Sequence, residues 1–352
     1  MKIKIIFIIA SLFSSLLFTQ TATPPSLGDG SEGNPYQIAT LDNLFWLSQQ
    51  GGNSDATGPY WSRNYIQTAN IDATSTSTWD SGQGFYPIGV GDYPSGSNFN
   101  PFTGSYDGQY HTIDGIYVSR VDWVGLFGFS RGIIINLGLT NVNIGTFYWT
   151  GGLVGDNEGV ISNCYSTGNV NTVGNSVGGL VGQNGGLISN SYSICSVSGA
   201  YVVGGLVGLH ENSAEIINCY SRGVVTGTGV LGGLVGANGI TIIENSFWDT
   251  ETSGQMVSAG GTGKTTAEMK DIATFTDVST VGLDTPWDFE ANPNDDTADD
   301  NYWDLCSELN GGYPILSWQN GSDICLCISG SIIYNTETNK FNFCEDGAWV
   351  EK

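Results

Sequence analysis

Basic residues are scarce. Ten Lys and Arg stand against 34 Asp and Glu in 352 residues, a formal net charge of −24. Such a chain is repelled by a phosphate backbone, which excludes nucleic acid as its partner. Cysteine is absent before Cys164, so no acylation site for a lipoprotein anchor lies near the N-terminus. Beyond residue 18 no apolar run is long enough to cross a bilayer, so no transmembrane segment is expected in the mature chain. Histidine occurs twice, as His111 in QYHTI and His210 in GLHEN, which leaves no H-E-x-x-H zinc motif. Charged residues of either sign make up only 12%.

Glycine, by contrast, numbers 51, and Ser, Thr and Asn are plentiful. This is β-rich, turn-rich composition, and 40% hydrophobic with 12% aromatic residues rules out disorder. The chain opens MKIKIIFIIASLFSSLLFTQTATPP, where Lys2 and Lys4 precede an uncharged apolar run over residues 5–18. That pattern predicts a secretory signal peptide over residues 1–23, cleaved between Thr19 and Thr23, and hence a secreted or cell-surface protein. Seven cysteines in an exported chain invite disulfides.

One sentence is written five times. Gly-Leu-x-Gly occurs at 125, 152, 179, 205 and 233, at spacings of 27, 27, 26 and 28 residues. A period in the twenties, with short β-prone runs between Gly or Asn turns and no helical periodicity, predicts an all-β chain: a parallel β-helix, or β-solenoid, with ~27-residue coils. Stacked coils place equivalent residues ~4.8 Å apart in ladders. Leu126, Leu153, Leu180, Leu206 and Leu234 form an inward column. Asn136, Asn163, Asn190, Asn218 and Asn245 form a second, whose amides can bond from coil to coil. Tyr165, Tyr192, Tyr220 and Phe247 follow two residues on and read as a further inward, core-packing column. Cys164 and Cys219 fall two coils apart, too far for a disulfide, and read as small buried residues.

A solenoid end must be capped. TLDNLFWLSQQ at 40–50 places Leu41, Leu44, Phe45 and Leu47 at helical spacing after a Thr N-cap, and Thr265 with Glu268 forms a capping-box pair that predicts a second short helix. The expected organisation is an N-terminal cap with irregular first coils over 24–118, regular coils over 119–256, and a C-terminal cap with an acidic loop over 257–322. A small cysteine-containing β-hairpin module follows over 323–352.

The repeats resemble the GLUG motif family, found in bacterial surface proteins and in accessory regions of some immunoglobulin-A-cleaving metalloproteases. The lead-in GNPYQIATLDNLFWLS, the segment FTGSYDGQYHTIDGI and the exit FWDTETSG share the resemblance, which covers roughly residues 28–320. It implies a solenoid with a surface or adhesive role, and the metalloproteases' catalytic motif is missing here. The tail CLCISGSIIYNTETNKFNFCEDGAWVEK resembles a small cysteine-paired module at the ends of other exported bacterial proteins. Among the three connectivities that four cysteines allow, Cys306–Cys325 with Cys327–Cys344 is preferred.

Catalytic signals are thin. GGTGKTT at 260–266 lacks the first glycine of a phosphate-binding loop, since Ser258 stands there. A polysaccharide lyase or glycosidase on a β-helix would need convergent carboxylates with a base. The coils offer only Arg131 and Arg222, with Asp156 and Glu158 adjacent but not repeated in the next coil. Asp295, Asp296, Asp299 and Asp300 could hold calcium, though a solvated acidic loop explains them as well. Trp123, Tyr148, Trp149 and Tyr201 sit in the less regular turns and are the candidate exposed aromatics for glycans or surface proteins. The sequence thus favours a non-catalytic adhesin or matrix component, with a carbohydrate-active enzyme and a structural stalk as alternatives.

Overall fold

The computed structural model describes residues 20–51, 53–55, 58–90, 100–121, 123–145, 148–289, 302–306 and 309–320, with the backbone of three terminal strands between 332 and 351. The expected signal peptide through residue 19 and the acidic stretch 290–301, with Asp295, Asp296, Asp299 and Asp300, lie outside the described residues.

The chain winds into a parallel β-solenoid of about seven turns. A regular coil runs through four strand segments, as in Thr150–Gly151, Val154–Asn157, Val160–Ser162 and Tyr165–Asn171. Each pairs in register with the same segment one repeat on. Val154 lies beside Val181, Val181 beside Val207, and Val207 beside Val235. Equal spacing in sequence therefore becomes equal register in space.

The interior is what the repeat buries. Leu153, Val154, Ile161, Cys164, Val170 and Val177 are at most barely accessible, as are their counterparts along the stack. Burying each of the branched side chains contributes roughly 1.5–3 kcal/mol, which an isolated coil cannot gain.

The asparagine column marks a corner. Asn136, Asn163, Asn190, Asn218 and Asn245 all adopt left-handed backbone, with φ of 54°, 55°, 43°, 52° and 47°. Asn is the non-glycine residue that tolerates this region best. The next position is closed by hydroxyls: the Cys164 and Cys219 amides donate to Ser191 Oγ and Ser246 Oγ of the following coil, each at 3.1 Å. This accounts for the Cys/Ser alternation. Cys164, Cys195 and Cys219 are free and fully buried.

The tyrosine column packs in a core as expected, but not on the inward side. After the corner, Cys164 points into the lumen and Tyr165, one residue on, points out, because strand side chains alternate. Tyr165, Tyr192, Tyr220 and Phe247 form a second core with Met269, Phe275, Trp287, Phe289, Trp303 and Tyr313 of the C-terminal segment. That segment is a strap laid along the outside of the coils.

At the N-terminal end, Tyr36 pairs with Tyr65, Tyr65 with Tyr106 and Tyr106 with Ile134, all in parallel register. The helix Leu41–Ser48 covers this end, with Thr40 Oγ1 accepting from the Asn43 amide at 3.2 Å and Leu44 and Leu47 fully buried. Past the last coil, Thr265 and Glu268 bond reciprocally and open a short 3-10 turn, with the helix Ala273–Thr276 after it. Parallel pairing continues through Phe247 and Thr262, across the expected boundary at 256.

The terminal module is a three-stranded antiparallel sheet of Ile332–Asn335, Lys340–Glu345 and Ala348–Glu351, one strand more than the expected hairpin. Cys306 is buried and disulfide-bonded. Cys325 and Cys327 lie outside the described residues and Cys344 is described in backbone only, so the pairing of the module stays an expectation.

Candidate functional site

Two aromatic features reach the outer surface, and each follows from how the coils present their outward positions. The first lies at the N-terminal end of the tyrosine stripe. Tyr165, Tyr192 and Tyr220 stack nearly parallel, with centroids 5.1 and 4.8 Å apart and interplanar angles of 7° and 9°. One coil nearer the N-terminus the column reaches Gly138, over which the Tyr165 ring lies so closely that a Cβ there would meet it at 2.4 Å. The next position is Thr112. The aromatic column thus stops, and a floor without large side chains begins.

Trp318 and Gln319 of the strap lie over the same place. Trp318 packs on Tyr165 at 5.6 Å and donates its indole N–H to Asn163 Oδ1 at 3.1 Å. Tyr192 Oη donates to Gln319 Oε1 at 2.8 Å. Packed against Trp318, with ring centroids 5.9 Å apart, is Tyr110, which is 53% exposed. Tyr110 is placed by a bulge: Gln109 and Tyr110 both have left-handed backbone, φ 46° and 65°, where pairing with Ile133–Ile144 slips between Asp107 and His111. The Gln109 amide closes on Asp107 Oδ1 at 2.9 Å. Consecutive non-glycine residues in this region are costly and hold only where the surroundings impose them.

Beside the Tyr110–Trp318 pair lies a groove of about 440 Å³, within the ~300–1,000 Å³ typical of small-molecule sites. Its walls are Tyr110, Trp318, Tyr165 and Tyr192, with Asn70, Thr112, Thr140 and Thr167 among the polar groups, and none of its thirteen lining side chains is charged. Asn70 Oδ1 is held by the Thr112 amide at 3.0 Å and by His111 Nδ1 at 3.2 Å. Asp114, beneath the rim, is bonded by Thr140 Oγ1 and Asn141 Nδ2. The sequence reading missed this groove. The signal that could have found it is the group of Trp and Tyr in the non-repeating C-terminal segment, rings too large to be left on a surface without a partner.

The second feature gathers three of the four expected binding aromatics. Trp123 stacks on Trp149 at 5.4 Å and 23°, and Tyr148 lies 6.4 Å from Trp149. Tyr148 and Trp149 are half-buried. Trp123 is not an exposed aromatic: it is 6% exposed, held between Trp149 and Phe129, and supports its neighbours from below. Tyr201, 61% exposed, follows Tyr148 two coils along the same column, ~10 Å on. Tyr148 and Trp149, over the buried Trp123, and Tyr201 two coils on therefore lie along one edge of the coils.

Asp156 lies next to this edge, in register with Phe129, on which Trp123 packs, and with Gln183. Burial, then Glu158 and Glu211 nearby, push its carboxyl up to about 7, against the opposing pull of Arg131. Its Oδ1 has no hydrogen-bond partner among the described residues. Arg131 is occupied by Glu158, at 2.6 Å. Among the described residues no three His, Cys, Asp or Glu side chains gather as a metal site. Burial raises the Cys164 and Cys219 thiols to about 12, which makes them poor nucleophiles.

A family model described as the GLUG motif matches residues 150–171 and 199–226, two of the coils built above. The chain is 34% identical over 151 residues to halomucin of Haloquadratum walsbyi, an alignment covering 41% of this chain and 2% of that protein. It is 32% identical over 168 residues to a protein of Evansella cellulosilytica named as a candidate Gly-rich membrane protein, covering 46% of this chain and 18% of the relative. The chain thus spans less than a fifth of either relative. In fold it is similar to the crystal structure of a candidate immunoglobulin A1 protease from Bacteroides ovatus, with a TM-score of 0.51 and 21% identity over 83% of this chain and 94% of that one. At that identity the likeness is one of fold alone.

Proposed function

We propose that the mature chain is exported and works at or outside the cell surface as an adhesin or matrix component that binds glycans or surface proteins without turning them over. The observation that carries this reading is the ridge of Tyr148, Trp149 and Tyr201 on a stacked β-scaffold. The rings sit in bends that lead directly into the paired strands Thr150–Gly151 and Val202–Gly204, which limits the backbone freedom lost when a partner docks on them. Coil repetition spaces them along one edge, suiting an extended ligand. The likeness to halomucin and to a Gly-rich membrane protein is in keeping with a surface location.

One residue favours a second reading, carbohydrate cleavage. Asp156 holds a proton near neutral pH beside Glu158 and Glu211, and a proton-bearing carboxyl next to further carboxyls is what a glycosidase requires.

A single experiment separates the two. Purified mature protein is passed over a panel of insoluble and soluble polysaccharides and over immobilised surface proteins, and both retention and newly formed reducing ends are scored. Retention without new ends is expected, with a clear loss in the Trp149→Ala/Tyr201→Ala double variant. New reducing ends that vanish in Asp156→Asn would replace the adhesin with an enzyme.

A further inference from the structure

We infer that the groove walled by the Tyr110–Trp318 pair is a saccharide-binding subsite, selective for uncharged pyranose chains. It is distinct from the Trp149 ridge; only its biological setting rests on the surface-binding reading above.

The chemistry of the lining makes the argument. Pyranose rings present patches of C–H on one face and hydroxyls around the edge. Their protein sites therefore pair aromatic faces with short amides and hydroxyls. Tyr110 and Trp318 supply two rings 5.9 Å apart, tilted by 44°, so that they form a shallow cleft and not a closed stack. Tyr165 backs the cleft, and Gly138 keeps its floor low. Around these rings stand Asn70, Thr112, Thr140 and Thr167. The fixed Asn70 carbonyl leaves the amide N–H₂ of that exposed residue to donate outward.

Charge decides the ligand class. The chain carries 34 acids, yet among the described residues no charged side chain lines this groove. A uronate or sulfated chain would meet no cation here and would approach through a strongly negative field, whereas a neutral chain pays neither penalty. The bulge supplies the final support. Left-handed backbone at Gln109 and Tyr110 holds an aromatic ring in solvent that the coil pattern would not otherwise place there, and such strain persists where a site needs it.

The test is titration calorimetry of the full mature chain with neutral hexasaccharides (β-1,3-glucan, β-1,4-glucan, β-1,4-mannan) and with hexagalacturonate as the acidic probe. At least one neutral hexasaccharide is expected to bind and hexagalacturonate is not. Tyr110→Ala should weaken binding roughly tenfold or more, Tyr110→Trp should retain it, and Asn70→Ala should weaken it independently. Ile240→Ser, an exposed change in the last coil, should leave it unaltered. Circular dichroism confirms that each variant is folded. No binding by any neutral probe, equal binding by hexagalacturonate, or Tyr110→Ala binding like the parent would each overturn the proposal. Retention undiminished in the Trp149→Ala/Tyr201→Ala double variant, with intact hexasaccharide binding, would overturn the ridge and leave the groove standing.

Discussion

Asn163 shows how much one position carries. Its backbone is left-handed, its Nδ2 donates to Asn136 Oδ1 at 2.6 Å, and its Oδ1 accepts from Trp318. Replacing it separates these roles. Asn163→Gly keeps the backbone conformation at no steric cost and loses only the amide, for about 1 kcal/mol. Asn163→Ala loses the amide and also forces a Cβ into the left-handed region, for roughly 2–3 kcal/mol in all. Denaturant unfolding of the pair measures the difference; equal losses would mean that the corner is not held by its backbone preference. The asparagine column was legible in the sequence because a polar side chain repeated at the coil period has few other uses. Its partners were only partly so. Asn218 bonds Asn190 at 3.3 Å, and Asn245 Oδ1 instead accepts from the Asp284 and Thr285 amides of the strap.

At the scale of elements, the strap is the part with no counterpart in the repeat. It is fixed to the solenoid by Tyr220 Oη on the Pro314 carbonyl at 2.6 Å, by Tyr313 Oη on Asp249 Oδ2 at 2.6 Å, and by the Trp287 indole on the Asn245 carbonyl at 2.8 Å. Asp249 is buried. Burial alone would raise its carboxyl, but bonds from Tyr313, Thr252, Thr266 and Glu251 outweigh this and hold it below the usual range. Tyr192→Ala removes a ring stacked on both sides and should cost about 3–5 kcal/mol, while Tyr192→Phe, losing only the bond to Gln319, should cost about 1 kcal/mol. If the strap is an element held by this stripe, limited proteolysis should cut within 264–320 sooner in Tyr192→Ala than in Tyr192→Phe; identical cleavage would show that the stripe does not hold it. The helix Leu41–Ser48 and the Thr265–Glu268 pair were readable because caps are local chemistry. The strap was not, because nothing in a local pattern tells an inward column from an outward one that a distant segment covers.

For the whole molecule, stability should bend at both ends of the pH scale. The folded-state value of Asp156 lies above its unfolded one, so its contribution is fully present below pH ~4 and is lost as pH rises through about 7. His210 is completely buried and hydrogen-bonded to Asn184, and burial holds its imidazole below the ordinary value. Its contribution is present above pH ~6.5 and is lost as pH falls below that. Asp156→Asn should therefore stabilise the protein at pH 8 by up to roughly 4 kcal/mol and change little at pH 4, while His210→Asn should flatten the acid limb. Urea titrations at pH 4, 6 and 8 check both, and an Asp156→Asn effect equal at all three would reject the assignment.

The sequence by itself determined the coil, its ~27-residue period, the inward leucines, the asparagine column and the capping helix. Each of these repeats or is local, and stacking converts equal spacing in the chain directly into contact. Only the tertiary structure decided which side of the strand the tyrosines occupy, what the strap covers, and that Tyr110 and Trp318, more than two hundred residues apart, pack together at one groove. Those facts depend on a single non-repeating segment folding back over the coils, and no periodicity records where such a segment lands.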